Sequence, residues 1–239
     1  KDAALDRIAD AIVADAARIE AANEEDVRRG RDAGLSAALL DRLALSGEQI
    51  QALARAVKQV AALPDPVGSR SAMHRASNGL LIGKQRLPIG LIAIVYESRP
   101  NVTVDAAALT LKSGNAVLLR GGKEAASTNA LLVEIMRRAL ADADLPEDAV
   151  CLVPPGDREE IRELVSLTEI VDLAIPRGGE GLIRFVAEVA RVPVIKHYKG
   201  VCHLFLDESA ELDMARSLTL NSKVQRPGVC NALECLLVH

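Results

Sequence analysis

Aromatic residues are nearly missing from this 239-residue chain: there is no tryptophan, and tyrosine and phenylalanine occur twice each. Stacking platforms for bases are therefore scarce, and a net charge of −4, from 29 basic against 33 acidic residues, offers no field to grip a phosphate backbone. Nucleic acid is excluded as the main partner. The four cysteines, Cys151, Cys202, Cys230 and Cys235, form no C-x-x-C pair, so neither a metal site nor a redox dithiol is indicated. Three of them lie in apolar runs that read as buried strands, the pattern of reduced thiols in a cytoplasmic protein. No stretch reads as a secretory leader or a membrane span. What the chain does have is 49% apolar residues, enough for a sizeable core.

Leu5, Ile8, Ile12, Ala16 and Ile19 recur at helical spacing and predict one amphipathic helix. Ser36 is placed to cap a helix over Leu39 to Leu45, and Ser46 with Gln49 forms a capping box for a helix ending at Pro64. Around Asn78-Gly79 the pattern changes to that of a hairpin. From Pro88 onward apolar runs of strand length alternate with helical stretches: Leu91 to Tyr96, Ala116 to Leu119, Val150 to Val153, Ile170 to Ile175, Val192 to Ile195 and Val201 to Leu206. Apolar strands joined by helices predict an α/β fold with a doubly wound parallel sheet, covered on both faces. Lys1 falls inside a helical pattern and His239 closes an apolar run, which reads as a piece of a longer chain.

In such sheets ligands bind beyond the carboxyl ends of the strands. One loop there, Arg120-Gly121-Gly122-Lys123-Glu124, opens a helix with two glycines and two cations, a pattern suited to an anion. A second, Pro176-Arg177-Gly178-Gly179-Glu180-Gly181, repeats the arrangement. Neither has the spacing of a Walker loop or of G-x-G-x-x-G. Asn101, in Tyr96-Glu97-Ser98-Arg99-Pro100-Asn101, could donate to an oxyanion, or simply cap a helix. Lys196-His197-Tyr198-Lys199-Gly200 is a basic loop suited to an anion or to plain solvation. The segment Gln225-Arg226-Pro227-Gly228-Val229-Cys230-Asn231 holds a thiol in a Pro/Gly loop beside an arginine, where a thiolate can be exposed and stabilised. A buried structural cysteine is the competing reading of that residue.

Together these segments, with Lys112-Ser113-Gly114-Asn115 and Gly200-Val201-Cys202-His203, resemble the aldehyde dehydrogenase superfamily, and within it the γ-glutamyl phosphate reductases (glutamate-5-semialdehyde dehydrogenases) of proline biosynthesis. The resemblance implies an aldehyde-dehydrogenase-like fold with a cofactor domain over 1–66 and 88–198. It further implies a hairpin or oligomerisation arm over 67–87 and the start of a catalytic domain over 199–239. It implies NADPH-dependent reduction of L-glutamyl 5-phosphate to the semialdehyde and phosphate, with Cys230 as nucleophile and Asn101 as an oxyanion donor. Arg120, Gly121, Gly122, Lys123, Pro176, Arg177, Gly178 and Gly179 would then hold NADP, Arg120 meeting the 2′-phosphate. Lys196, His197 and Arg226 would hold substrate or phosphate. Glutamate 5-kinase, which makes the acyl phosphate, and further copies of the chain are the partners this resemblance suggests. The hydrolytic aldehyde dehydrogenases carry a water-activating glutamate where the basic loop stands here, and its absence favours the reductase. A hydrolytic semialdehyde dehydrogenase and a catalytically silent nucleotide-binding or assembly module remain as alternatives.

Overall fold

Along Leu91-Ile92-Ala93-Ile94-Val95-Tyr96 every residue is apolar, so a strand here has no face to give to water and must be covered on both sides. That is the arrangement in the computed structural model, which describes residues 1–198, 200–227 and 229–239. Lys199 of the basic loop and Gly228 of the cysteine loop lie outside the described residues.

The helices are α1 (Asp2–Ala14), α2 (Ala16–Asp32), α3 (Ala37–Leu43), α4 (Gly47–Ala62), α5 (Pro100–Lys112), α6 (Ala126–Ala141), α7 (Arg158–Leu164), α8 (Glu180–Val189) and α9 (Leu212–Val224). The strands are β1 (Arg70–Arg75), β2 (Leu81–Gln85), β3 (Leu91–Tyr96), β4 (Ala116–Arg120), β5 (Val150–Leu152), β6 (Leu173–Arg177), β7 (Cys202–Leu206) and β8 (Leu233–Val238). Contacts divide the chain into two compact units, Lys1–Lys196 and His197–His239.

In the first unit β5, β4, β3 and β6 lie in that order, all parallel. The strand period of two sends Ile92, Ile94 and Tyr96 to one face, where α1, α4, α5 and α6 bury them. Ala93 and Val95 point to the other face, against Ile161, Leu164 and Val186 of α7 and α8. Helices after β3 and β4 thus cover one face and those after β5 and β6 the other. The chain reverses direction across the sheet between β3 and β6, which opens a crevice beyond their carboxyl ends.

Several sequence expectations are corrected. The first helix breaks at Asp15, whose backbone, at φ −94° and ψ 13°, leaves the helical range between α1 and α2. The strand expected from Ile170 begins only at Leu173, because the Asp172 carboxylate accepts from Leu91 N at 2.8 Å and ends the turn there. Val192 to Ile195 contributes a single bridge, Val194 to Ala174, and no strand. Cys151, Cys202 and Cys235 do sit on strands but are half-buried. Both caps appear as expected: Ser36 accepts from Leu39 N, and Ser46 and Gln49 form the reciprocal box.

β1 and β2 form an antiparallel hairpin whose loop carries Gly79 at φ 87°, and Leu80 N donates to Asn78 Oδ1 at 3.2 Å. All strand residues of this ribbon are exposed, including Met73, Leu81 and Ile82. A two-stranded ribbon gains little stability alone and presents unpaired edges.

The second unit is one β–α–β turn: β7 pairs parallel with β8, and α9 links them. Phe205, Leu212, Leu218, Val224 and Leu237 are more than half exposed or close to it, so this unit leaves both faces largely apolar and open.

Candidate active site

The carboxyl edge of the first sheet carries most of the residues the sequence singles out. β3 ends at Tyr96 opposite Arg177 of β6, and Glu97 follows into the crevice. Its carboxylate Oε2 accepts from Gly179 N, the N-cap of α8, at 2.9 Å. A Cβ on Gly178 would lie 2.6 Å from Glu97 Cδ, so glycine is what lets this side chain cross. In the second glycine loop the chain's own carboxylate thus occupies the Gly179 amide.

A carboxylate also caps the helix that follows the first glycine loop. Asp26 of α2, wholly buried, accepts from Thr128 N at 2.8 Å, from Thr128 Oγ1 at 2.7 Å and from Ser127 N at 3.3 Å, and pairs with Arg29. The Ser127 and Thr128 amides at the start of α6 are thus taken up by a structural cap. Gly121 is also explained from within. Tyr96 donates to Thr103 Oγ1 at 2.7 Å, since the Thr103 proton goes to Asn129 Oδ1 at 2.8 Å. A Cβ on Gly121 would come within 2.3 Å of Asn129 Nδ2 and 3.0 Å of the Tyr96 ring. Burial pushes the Tyr96 hydroxyl up to about 12, although the Thr103 bond works against that, so the network stays protonated at neutral pH.

Arg120, at the end of β4, remains unspent. It is 9% exposed, donates to the carbonyls of Gly121, Gly156 and Asp157, and has no carboxylate partner among the described residues. Its Nε is buried without an acceptor. A buried cation with an orphaned N–H and no counter-ion is unusual, and an anionic group completes it. Lys123, just after β4, and Arg177, at the end of β6, are exposed, and Pro176 is buried in β6.

Asn101 is engaged within its own helix. Its Nδ2 donates to Asp105 Oδ2 at 3.0 Å, one turn along α5, because that spacing stacks the two side chains on one helix face. Both line an open cavity of about 350 Å³ between α3, α4 and α5. This cavity was not legible in the sequence, since α3 and α4 come from a separate stretch of chain.

In the second unit Cys230 is exposed at the head of β8. Cys202 Sγ on β7 donates to the Cys230 carbonyl at 3.6 Å. A Cβ on Gly200 would lie 2.7 Å from that same carbonyl, so only glycine admits the cysteine loop this close to the start of β7. Among the described residues the Cys230 backbone N–H has no acceptor, leaving it free to donate elsewhere. Arg226 is exposed in the same loop, and Val229 N bonds its carbonyl at 3.3 Å. Lys196 closes the first unit and His197 opens the second, both exposed. Among the described residues no three His, Cys, Asp or Glu side chains converge as a metal site would require, and no helix is long and apolar enough to cross a membrane.

A profile described as the aldehyde dehydrogenase family matches residues 5–239. A gamma-glutamyl phosphate reductase from Sorangium cellulosum is 59% identical over the whole chain, and one from Desulfotalea psychrophila is 51% identical. The chain spans 57% of the length of each. The crystal structure of gamma-glutamyl phosphate reductase from Thermotoga maritima superimposes with a TM-score of 0.90 at 44% identity, covering all of this chain and 57% of that one. An acetylating aldehyde dehydrogenase from Geobacillus thermoglucosidasius, at 18% identity and a TM-score of 0.66, shares the fold.

Proposed function

The chain belongs to the aldehyde dehydrogenase family, and from that premise we propose that it is the cofactor-binding and nucleophile-bearing part of a reductase that converts L-glutamyl 5-phosphate to L-glutamate 5-semialdehyde with NADPH, in proline biosynthesis. The observation that carries this is Cys230, an exposed thiol in a loop anchored through its carbonyl, in a chain whose relatives are named for that reaction. The Cys230 thiolate attacks the acyl carbon. The acyl C–O bond breaks and phosphate leaves with the electron pair, giving a thioester on sulfur. The hydride that reduces this acyl group would come from a nicotinamide when one is bound. The C–S bond then breaks, the aldehyde forms, and the thiolate is restored. The free N–H of Cys230 is the donor best placed by sequence to meet the oxyanion, and Asn101, engaged with Asp105, is the weaker candidate.

Arg120 fits a cofactor phosphate, because its guanidinium is buried, cationic and short of an acceptor, and a planar fork suits a phosphate dianion. Gly178 and Gly179 fit a second anionic group once Glu97 gives up the α8 amide. Arg226, Lys196 and His197 are the cations assigned to the substrate phosphate. Residues 67–87, with their exposed ribbon, are assigned to pairing with a second copy, and glutamate 5-kinase is the source of the acyl phosphate. The basic loop supplies no carboxylate to activate water, which favours the reductase over a hydrolytic enzyme.

The test is covalent trapping. Incubated with the acyl phosphate and no reduced cofactor, the full-length protein should release one phosphate per site and gain one glutamyl group on Cys230 by peptide mass spectrometry. Phosphate release with no acyl adduct, or an adduct on another residue, contradicts the assignment.

A further inference from the structure

Two of the four cysteines meet inside the second unit. Cys202 on β7 and Cys230 ahead of β8 are 28 positions apart, yet Cys202 Sγ lies 3.6 Å from the Cys230 carbonyl oxygen. A Cβ built on Gly200, two residues before Cys202, would stand 4.0 Å from Cys230 Cβ. A carbonyl oxygen sits about 2.4 Å from its own Cα, so Cys230 Cα is within about 6 Å of the Cys202 sulfur. A disulfide holds its two Cα atoms about 4.4–6.8 Å apart, so a turn of the Cys230 side chain and a small adjustment of its loop join the sulfurs. The Cys230 thiol is exposed and makes no hydrogen bond among the described residues, which leaves it free to turn. Cys235 is not an equivalent partner. It stands in register with His203, and successive strand side chains point to opposite faces, so Cys235 and Cys202 lie on different faces of the β7–β8 pair.

We propose that Cys202 is the resolving cysteine for Cys230, and that hydrogen peroxide converts the pair to a reversible Cys202–Cys230 disulfide. The Cys230 thiolate attacks one peroxide oxygen. The O–O bond breaks, hydroxide leaves, and the sulfur becomes a sulfenic acid, oxidised by two electrons as the peroxide is reduced. The Cys202 sulfur then attacks the Cys230 sulfur; the S–O bond breaks, and the hydroxide departs as water with the Cys202 proton. A small dithiol reverses the bridge by exchange and is itself oxidised to a disulfide. Without such a neighbour an exposed nucleophilic thiol goes on to sulfinic and sulfonic acids, which thiols do not reduce. The pairing of β7 with β8, rather than a C-x-x-C spacing, brings the two residues together. From the reductase reading the proposal takes only that Cys230 is the nucleophile, so that the bridge stops turnover and its reduction restores it.

The bridge can be read without turnover. Full-length protein treated with a small excess of hydrogen peroxide and digested without reductant should yield a linked Cys202–Cys230 peptide, lighter than its parts by the two thiol hydrogens. In Cys202→Ser the same treatment should leave sulfinic acid on Cys230, and dithiothreitol should restore at least about tenfold less of the lost activity than in the parent. Cys202→Ala repeats the comparison if the serine variant folds poorly. Cys235→Ser should form the bridge as the parent does. A treated parent in which Cys230 is overoxidised or joined to any other cysteine, or a Cys202→Ser variant that recovers as fully as the parent, overturns the proposal. A Cys202–Cys230 bridge in a protein that, before oxidation, forms no acyl adduct on Cys230 would support this proposal and refute the reductase reading alone.

Discussion

Replacing Cys230 by alanine is expected to abolish turnover of the full-length protein, by at least about 10⁴-fold in kcat, because the acyl group then has no thiolate to attack it and carry it to the hydride. The fold should barely register the change. The Cys230 side chain is exposed, and its carbonyl, which receives the Cys202 bond, is backbone and survives the substitution. A urea titration should therefore place the variant within about 0.5 kcal/mol of the parent. Unchanged turnover would rule out a nucleophilic role for Cys230. Lost activity with a large loss of stability would mean that the loop is structural.

The largest stability effect is expected at the other end of the chain. Asp26→Ala removes a fully buried carboxylate that serves two opening amides of α6, a buried hydroxyl and Arg29. Losing such a cap and stranding its donors should cost about 3 kcal/mol, combining the price of a helix cap with that of buried groups left unpaired. The midpoint of urea unfolding should fall with an unchanged slope. Asp26→Asn, which keeps an acceptor but not the charge, should fall between parent and alanine variant. A loss of less than about 0.5 kcal/mol for the alanine variant, the size of an ordinary surface change, would show that water replaces the carboxylate without difficulty.

These results bear on what the sequence could and could not convey. Local signals were reliable where the physics is local: the Ser36 and Ser46 caps, the Asn78-Gly79 hairpin, and the unbroken apolar run of β3 all act within a few residues. Around the glycine loops, the carboxylates that meet the helix-opening amides come from far away in sequence. Asp26 reaches Thr128 across 102 positions, and Glu97 reaches Gly179 across 82, so a pattern read along the chain sees open amides where the fold has already supplied carboxylates. The same holds for Asp172, whose bond to Leu91 N sets the start of β6. Arg120 was legible as a cation beyond a strand, but that its Nε lacks an acceptor appears only once the loop over Gly156 and Asp157 has closed on it. Cys230 was legible through its motif. Its anchorage through Gly200 and Cys202 was not, because the start of β7 lies beyond α9 from the cysteine loop.

The presence of Glu97 on the α8 amide also gives the switch-point crevice a definite electrostatic character. An anion can enter there only by displacing a carboxylate, whereas Arg120 offers a cation that nothing in the described residues neutralises.

The central claim is that the Cys230 thioester is made and broken by phosphate and hydride, never by water. It is tested most directly by running the full-length protein backwards, oxidising glutamate 5-semialdehyde with NADP and with NAD in parallel, in the presence and absence of inorganic phosphate. The account predicts that reduced cofactor forms in steady state only when phosphate is added and that NADP is the better oxidant. Steady oxidation without phosphate, yielding free glutamate, would contradict it.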